Sequence, residues 1–374
     1  MSDFIVPRPE MAGRIADMLV PDPIFGALSG LFLAAPRRTG KSTFLRNDLV
    51  PLLKERDKVV LYVDLWADRS TDPGHLILDC IRGGLEENAG RIKRFQKSVP
   101  VDRVGALGFS VSFREPSEFE GTASEALRLL SASTGKDVVL IVDEAQQALE
   151  SEAGMNAMFA LKAARDAVNQ DKGSHYLYLV MTGSHRDKLA ALVYDQKSPF
   201  FGAQIRDFPP LGRDYSKAVA ERINANLAAH LHVGPDEMDA AFDALGRKPE
   251  MLLDCLRALV TAEAEAPDAL DAIVARKKAE VEAARRAEIL SLTKLQQALL
   301  HMLAEDGRSF SPFSAAARER LKPANGGKPP SIGAIQKAID VLRDRNFIWR
   351  PGYGAYALEN AEISGALLAA SRDG

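Results

Sequence analysis

At 374 residues the chain exceeds one ordinary core and predicts two or three domains. Its 46% hydrophobic and 26% charged content excludes wholesale disorder, and its net charge of -3 excludes a polycation built to coat nucleic acid. The two cysteines, Cys80 and Cys255, lie far apart in amphipathic helical stretches, which excludes a disulfide framework or a CxxC metal pair and suits a reducing cytosol. No His/Cys cluster predicts zinc. The first nine residues lack a basic start followed by an apolar run, and no apolar run approaches the roughly 20 residues that span a bilayer. A cytoplasmic protein with no signal peptide and no membrane partner is expected.

In chain order, Leu31-Phe32-Leu33-Ala34 reads as a buried strand, followed by a Gly/Lys/Ser turn and a helix through Leu53. Residues 59–65 form a second strand and 75–85 a helix. Residues 104–113 alternate like a strand or hairpin. A helix over about 122–133, a strand over 138–142, a helix over 155–168 and a strand over 176–181 follow. These strands are continuous apolar runs, the pattern of burial on both faces. Their alternation with helices predicts a parallel sheet covered by helices. After about Leu211 the strands stop, and helical patterns run over 214–230, 236–245, 249–264 and 269–290. The mixed charges of the last of these read as a solvated face.

Near residue 291 a final segment begins. Leu295, Leu299, Met302 and Leu303 share one apolar face, a short helix covers about 313–321, and 322–330 is a loop by composition. Ser331 caps a helix with apolar positions Ile332, Ile335, Ile339 and Leu342. Short strands over 347–350 and 355–358 flank Pro351-Gly352-Tyr353-Gly354. In this strand pair Phe347, Trp349, Tyr356 and Leu358 read as core. No internal repeat is present.

The strongest chemistry lies at Ala35-Pro36-Arg37-Arg38-Thr39-Gly40-Lys41-Ser42, with Thr43 following. A phosphate-binding loop needs tight backbone turns, a lysine for the β/γ phosphates and a hydroxyl for Mg²⁺; Gly40, Lys41 and Ser42 supply these. The helix opening there adds its positive dipole end. Ala35 stands where the usual motif has glycine, which a negative φ allows. The second element is the strand Val138-Val139-Leu140-Ile141-Val142 ending in Asp143-Glu144. Its carboxylates fall at the strand's C-terminal tip, where open α/β sheets bind ligands. Asp143 would hold Mg²⁺ through its water shell, and Glu144 would orient and deprotonate the attacking water. At the tip of the next strand, Thr182 and Ser184 are candidates to sense the γ-phosphate or position water; Ser184 reads equally well as a helix N-cap.

Together these residues resemble the AAA+/STAND P-loop ATPases, in particular their archaeal-type ATPase branch. "APRRTGKSTFLRNDLVPLL" is similar to that branch's P-loop and following helix, and "VVLIVDEAQ" to its Walker B strand. "MTGSHRDKL", "SPFFGAQIRDFPPL" and "LGRKPEMLLDCL" are similar to its sensor strand, the segment after it and the start of its lid. The resemblance covers about residues 1–260. It implies ATP with Mg²⁺, an αβα P-loop NTPase core, a helical lid and frequent homo-oligomers. It also implies that Arg247 can bring charge from the lid to the phosphates. The family often carries an arginine finger just after the "PFFG" position. Here Ala203 stands there and Arg206 is the nearest arginine, with Arg186 and Arg213 as alternatives.

Residues 291–374 resemble a winged helix-turn-helix, which implies a third helix that enters the major groove of double-stranded DNA. Gln336, Lys337 and Arg343 on that helix, and Arg345, Arg350 and Tyr353 in or near the wing, are the candidate contacts. This segment holds 11 Lys/Arg against 8 Asp/Glu, +3, which leaves -6 to the rest. Asp340 and Asp344 share the same helix, so a protein-docking module is the alternative. Three domains are expected: an ATPase core over 1–211, a lid and connecting helix over 212–290, and a winged helix over 291–374. The expected function is ATP hydrolysis coupled to DNA binding. A STAND-like switch that docks a protein effector, as in stress or phage defence, is the alternative. Glu144 argues against a third class, a scaffold with little hydrolysis.

Overall fold

The computed structural model describes residues 5–21, 30–98, 122–170, 175–261, 269–352, 354–359, 363, 365 and 367. The strand or hairpin expected over 104–113 and the candidate Tyr353 lie outside them. The chain divides into two compact units, Met1–Pro36 with Lys41–Phe208, and Arg37–Gly40 with Pro209–Gly374.

The first unit opens with α1 (Pro9–Met18), which Pro9 starts at N1 and which buries Met11, Ala12, Ile15 and Ala16 along one stripe. Strand β1 (Leu31–Ala34) is fully buried and leads through the Gly40 turn into α2 (Lys41–Phe44). A π-helical turn (Leu45–Leu49) carries the chain into α3 (Val50–Glu55). Strand β2 (Val59–Asp64), α4 (Pro73–Glu87) and α5 (Ala89–Ser98) follow. Thr122 and Glu125 close a capping box on α6 (Ala123–Thr134), and Gly135 ends it in the left-handed conformation. Strand β3 (Val138–Asp143), a 3-10 turn (Ala145–Glu150), α7 (Glu152–Gln170), β4 (Leu177–Gly183), α8 (Arg186–Ala191) and β5 (Ile205–Asp207) complete the unit.

The five strands form one parallel sheet in the order β2-β3-β4-β1-β5. Alternate residues point to opposite faces. Phe32, Leu61, Leu140 and Met181 pack with Ile81, Leu127 and Leu161 of α4, α6 and α7. Leu33, Val60, Ile141 and Val180 pack with Ile15, Leu45, Leu49 and Leu53 from the α1 and α2–α3 side. Both faces are dry, which is why the strands read as unbroken apolar runs.

Close packing of α7 leaves Gly154 no room for a side chain: a Cβ there would stand 2.5 Å from the Ala148 carbonyl oxygen. Gly154→Ala is therefore expected to cost about 1–3 kcal/mol, seen as a lower urea midpoint. An unchanged midpoint would mean that the turn yields freely.

The second unit is helical: α9 (Arg213–Asn224), α10 (Pro235–Ala244), α11 (Pro249–Thr261) and the long α12 (Ala269–Leu290). The helix expected over 214–230 ends at Asn224. That side chain closes the following loop instead, with its amide donating to Val233 O and its carbonyl accepting from Val233 N, both at 2.9 Å. Then come α13 (Lys294–Asp306), α14 (Ala315–Arg320), α15 (Ile332–Asp344) and the antiparallel pair β6 (Ile348–Gly352) and β7 (Ala355–Leu358). Thr293 and Ser331 cap α13 and α15 through their hydroxyls. These last elements share one core that includes Leu299, Met302, Leu303, Ile335, Ile339, Leu342, Phe347 and Ile348. The apolar face of α15 is Ile335, Ala338, Ile339 and Leu342. Ile332, expected on that face, is instead 58% exposed at the first helical position, where it precedes the buried stripe. Phe347 and Ile348 are both buried, and the rest of β6 is half-buried throughout, so Trp349 lies at the margin of this core. Among the described residues no helix is long and apolar enough to cross a membrane.

Candidate functional site

Parallel pairing brings the C-terminal tips of the strands to one edge of the sheet. Asp64 of β2 stands opposite Asp143 of β3, and Thr182 of β4 opposite Leu33 of β1. At this edge β1 gives way to the loop that opens α2. Ala35 is buried and donates its N–H to Gly183 O at 3.1 Å. It is not among the residues with positive φ, so alanine fits where glycine is usual. Arg38 at φ 66° and Gly40 at φ 78° make the left-handed turns of the loop. Pro36, Arg37, Arg38 and Thr43 are exposed, and Thr39 and Gly40 half-buried. Within the second unit, Arg38 pairs with Glu250 at 2.7 Å.

Lys41 is 5% exposed, and its ammonium lies 2.9 Å from Asp143 Oδ1 and 2.6 Å from Glu144 Oε1. Asp143, fully buried, is the most heavily bonded group of the site. Its Oδ1 also accepts from the Thr182 hydroxyl and from Glu144 N, and its Oδ2 accepts from Ser42 Oγ at 2.6 Å and Tyr62 OH at 3.2 Å. Five donors saturate the lone pairs of one carboxylate. Burial opposes its charge, but Lys41 and the Ser42 and Thr182 hydroxyls outweigh it and hold its pKa below the ordinary value.

Glu144 is held on both edges. Oε1 faces Lys41; Oε2 accepts from Ser184 Oγ at 2.6 Å, Ser184 N at 3.3 Å and Gln146 Nε2 at 2.5 Å. Burial raises its pKa, and Lys41, Ser184 and Gln146 more than reverse this, so it too lies below the usual value and stays ionised. Its backbone sits at φ 54°, ψ 42°, a left-handed conformation that costs a side-chain-bearing residue on the order of 1 kcal/mol or more.

Beside this pair lies a cluster that sequence reasoning missed. Arg46 donates to Tyr62 OH at 3.1 Å and to Asp64 Oδ2 at 3.0 Å, and the Tyr62 hydroxyl donates in turn to Asp143 Oδ2. Burial and the neighbouring Asp143 push the Tyr62 pKa up, so it remains a donor. Tyr62 hides in an apolar strand, where nothing in the sequence separates it from a core residue. Gln146 was also missed; the signal available was an amide two residues beyond an Asp-Glu strand tip.

Ser184 does not cap α8: His185 occupies that position, and the Ser184 hydroxyl is spent on Glu144. The arginine candidates part company. Arg186 pairs with Asp207 and Arg213 with Asp236, whereas Arg206, exposed on β5, meets Met18 Sδ at 3.4 Å. Arg247, at φ 52°, is gripped within the second unit by Asp243 at 3.0 Å, Asp239 at 3.3 Å and the Leu211 carbonyl at 3.2 Å.

The Ser42 hydroxyl and the Asp143 carboxylate are hard oxygen donors meeting at one point, the chemistry Mg²⁺ takes. A lysine, two hard oxygen donors and an ionised glutamate thus converge at the carboxyl edge of a parallel sheet, where α2 begins. The fold is that of a P-loop NTPase, an α/β core with a parallel sheet between helices. Two solved structures share it along nearly their whole length. A Walker-type ATPase of Pyrococcus abyssi superimposes with TM-score 0.54 at 19% identity, over 97% of this chain and 96% of that one. The ORC2 protein of Aeropyrum pernix in its ADP form does so with TM-score 0.53 at 15% identity, over 100% and 98%. No protein-family model matches the chain, and neither does any curated protein sequence.

The candidates at the other end of the chain are spread over α15 and the β6–β7 pair. Gln336 and Lys337 are exposed on α15. Gln336 donates to Asp340 at 2.9 Å, and Arg343 pairs with the same carboxylate at 3.6 Å. Arg345 donates to Ser291 Oγ at 3.0 Å and lies over the Phe347 ring. Arg350 is half-buried in β6.

Proposed function

We propose that the chain binds Mg-ATP at this edge and hydrolyses it as an AAA+/STAND-type ATPase, and that its nucleotide state controls a DNA-binding winged helix. The observation that carries the reading is the meeting of Lys41 and Ser42 with Asp143 and Glu144, some hundred residues away in sequence. The loop over residues 35–43 would wrap the phosphates, with backbone N–H groups from residues 37–43, and Lys41 would turn from Glu144 to the β/γ phosphates. Ser42 and Asp143 would hold Mg²⁺, which when bound supplies positive charge against the phosphate oxygens. Glu144 would then take the proton of the attacking water. As the water oxygen bonds to the γ phosphorus, the bond to the bridging oxygen breaks and its electron pair leaves with ADP.

Domains over 1–211, 212–290 and 291–374 fit this division of labour. Arg247 would reach the phosphates only by leaving Asp239 and Asp243. In a homo-oligomer, Arg206 is better placed than Arg186 or Arg213 to act in trans, because theirs are the guanidinium groups paired with carboxylates. The three helices α13, α14 and α15 with the β6–β7 hairpin support the winged-helix reading. The test is steady-state ATP hydrolysis with and without duplex DNA, with Glu144→Gln as the control. A Glu144-dependent rate that DNA raises supports coupling of the two ends. A chain that binds ATP and ignores DNA points to the second reading, a switch that docks a protein effector.

That second reading has its own observation: Asp340 already engages Arg343 and Gln336, which lowers the positive charge α15 can offer. Changing Lys337 and Arg343 together to alanine is expected to weaken duplex binding and flatten its salt dependence by about one to two phosphate contacts. Unaltered gel-shift affinity at low salt would favour protein docking.

A further inference from the structure

Gln146 is wholly buried in the 3-10 turn after β3, although a glutamine is costly to bury. Its amide nitrogen donates to Glu144 Oε2, while its Oε1 has no hydrogen-bond partner. The opposite amide orientation would set its oxygen against a carboxylate, so this is the stable one. The seat is tightly shaped. A Cβ on Gly183 would stand 2.4 Å from Gln146 Oε1, so the glycine at the end of β4 is what admits the side chain. Burying an amide with half its capacity unused is reasonable only if the other half performs a task. Glu144 has two edges with different neighbours. Gln146, wholly buried, and Ser184, half-buried, hold Oε2; Lys41 holds Oε1, and Lys41 is the group that nucleotide would draw away.

We propose that Gln146 is a positioning residue for ATP hydrolysis, one that pins the Oε2 edge of Glu144 so that Oε1, released by Lys41, is the edge presented to water. The inference rests on the reading of Glu144 as the base. With Lys41 on Oε1 and Gln146 and Ser184 on Oε2, both edges of that base are covered. Arrival of phosphate at Lys41 uncovers one oxygen only, already aimed by the other.

The test is a double-mutant cycle of Gln146→Leu and Glu144→Gln in the full chain, reading kcat and the Kd for Mg-ATP. Leucine fills the seat without donating a hydrogen bond. Gln146→Leu is expected to lower kcat on the order of tenfold with Kd within about twofold, and to have no further effect once Glu144 is glutamine. Gly183→Ala, which crowds Gln146 from the other side, is expected to lower kcat in the same way while Gln146 itself is intact. A rate that depends on Glu144 but not on Gln146 or Gly183, or losses that simply multiply in the double variant, overturns the inference alone. A chain that hydrolyses no ATP, or whose rate survives Glu144→Gln, overturns the parent reading and the inference with it.

Discussion

Lys41→Ala is expected to abolish ATP binding and to lower the stability of the nucleotide-free chain at the same time. The first effect follows from the proposed role of the lysine as the one charge that reaches the β/γ phosphates. The second follows from what Lys41 does in the structure. Lys41 is 5% exposed, and its ammonium lies within 2.9 Å of two carboxylates, one of them fully buried. Removing one partner of a buried ion pair leaves uncompensated charge and costs about 3–5 kcal/mol. Here Asp143 and Glu144 would be left side by side, with hydroxyls, amides and backbone N–H groups as their close supports. Calorimetric titration with Mg-ATP reads the first effect and thermal unfolding the second. Full ATP affinity would remove the phosphate-loop assignment. Lost affinity with unchanged melting would mean that the Lys41 ion pairs contribute little to the fold.

The parallel core was legible because each long strand is a run of apolar residues bounded by polar ones. Asp143 could be placed at a strand tip for the same reason. What sequence could not supply was lateral order. Alternation of strand and helix predicts a parallel sheet, but not that β4 lies between β1 and β3, which is what brings Thr182 within reach of Asp143. The shortest strand, β5, was not anticipated: it has three residues, two of them charged and exposed, and it exists because β1 offers it a free edge. Helix α5 was missed for a related reason: it carries four cations in ten residues and buries little beyond Ile92. At the site, residues with side-chain chemistry suited to phosphate were found by type and spacing. Gln146 and Tyr62 were not, because their roles come from three-dimensional neighbours: the missing side chain of Gly183 for one, and Asp143 across the sheet for the other.

Glu144→Gln carries the second large expectation: ATP binding as tight as in the wild-type chain or tighter, with turnover lower by about 10²- to 10⁴-fold, the range for loss of a general base. Retained binding follows from the geometry around the carboxylate. Glutamic acid in its ionised form accepts from Lys41 on Oε1 and from Ser184 and Gln146 on Oε2. Glutamine has one oxygen and one NH₂ group, so it cannot serve both edges. If its oxygen faces Lys41, its NH₂ meets the Ser184 hydroxyl and the Gln146 amide, one of which must reorient to accept. If its oxygen faces Gln146, Lys41 meets a donor. Either arrangement loosens Lys41 from its place, and a lysine less firmly held by the protein turns more readily to phosphate. Loss of turnover needs no rearrangement at all, since an amide cannot accept the proton of water. Single-turnover quench of radiolabelled ATP, with gel filtration of the complex, separates the two effects. ATP that stays bound and intact fits the assignment, whereas turnover at the wild-type rate would move the base to another group, with Asp64 the next carboxylate along the edge of the sheet.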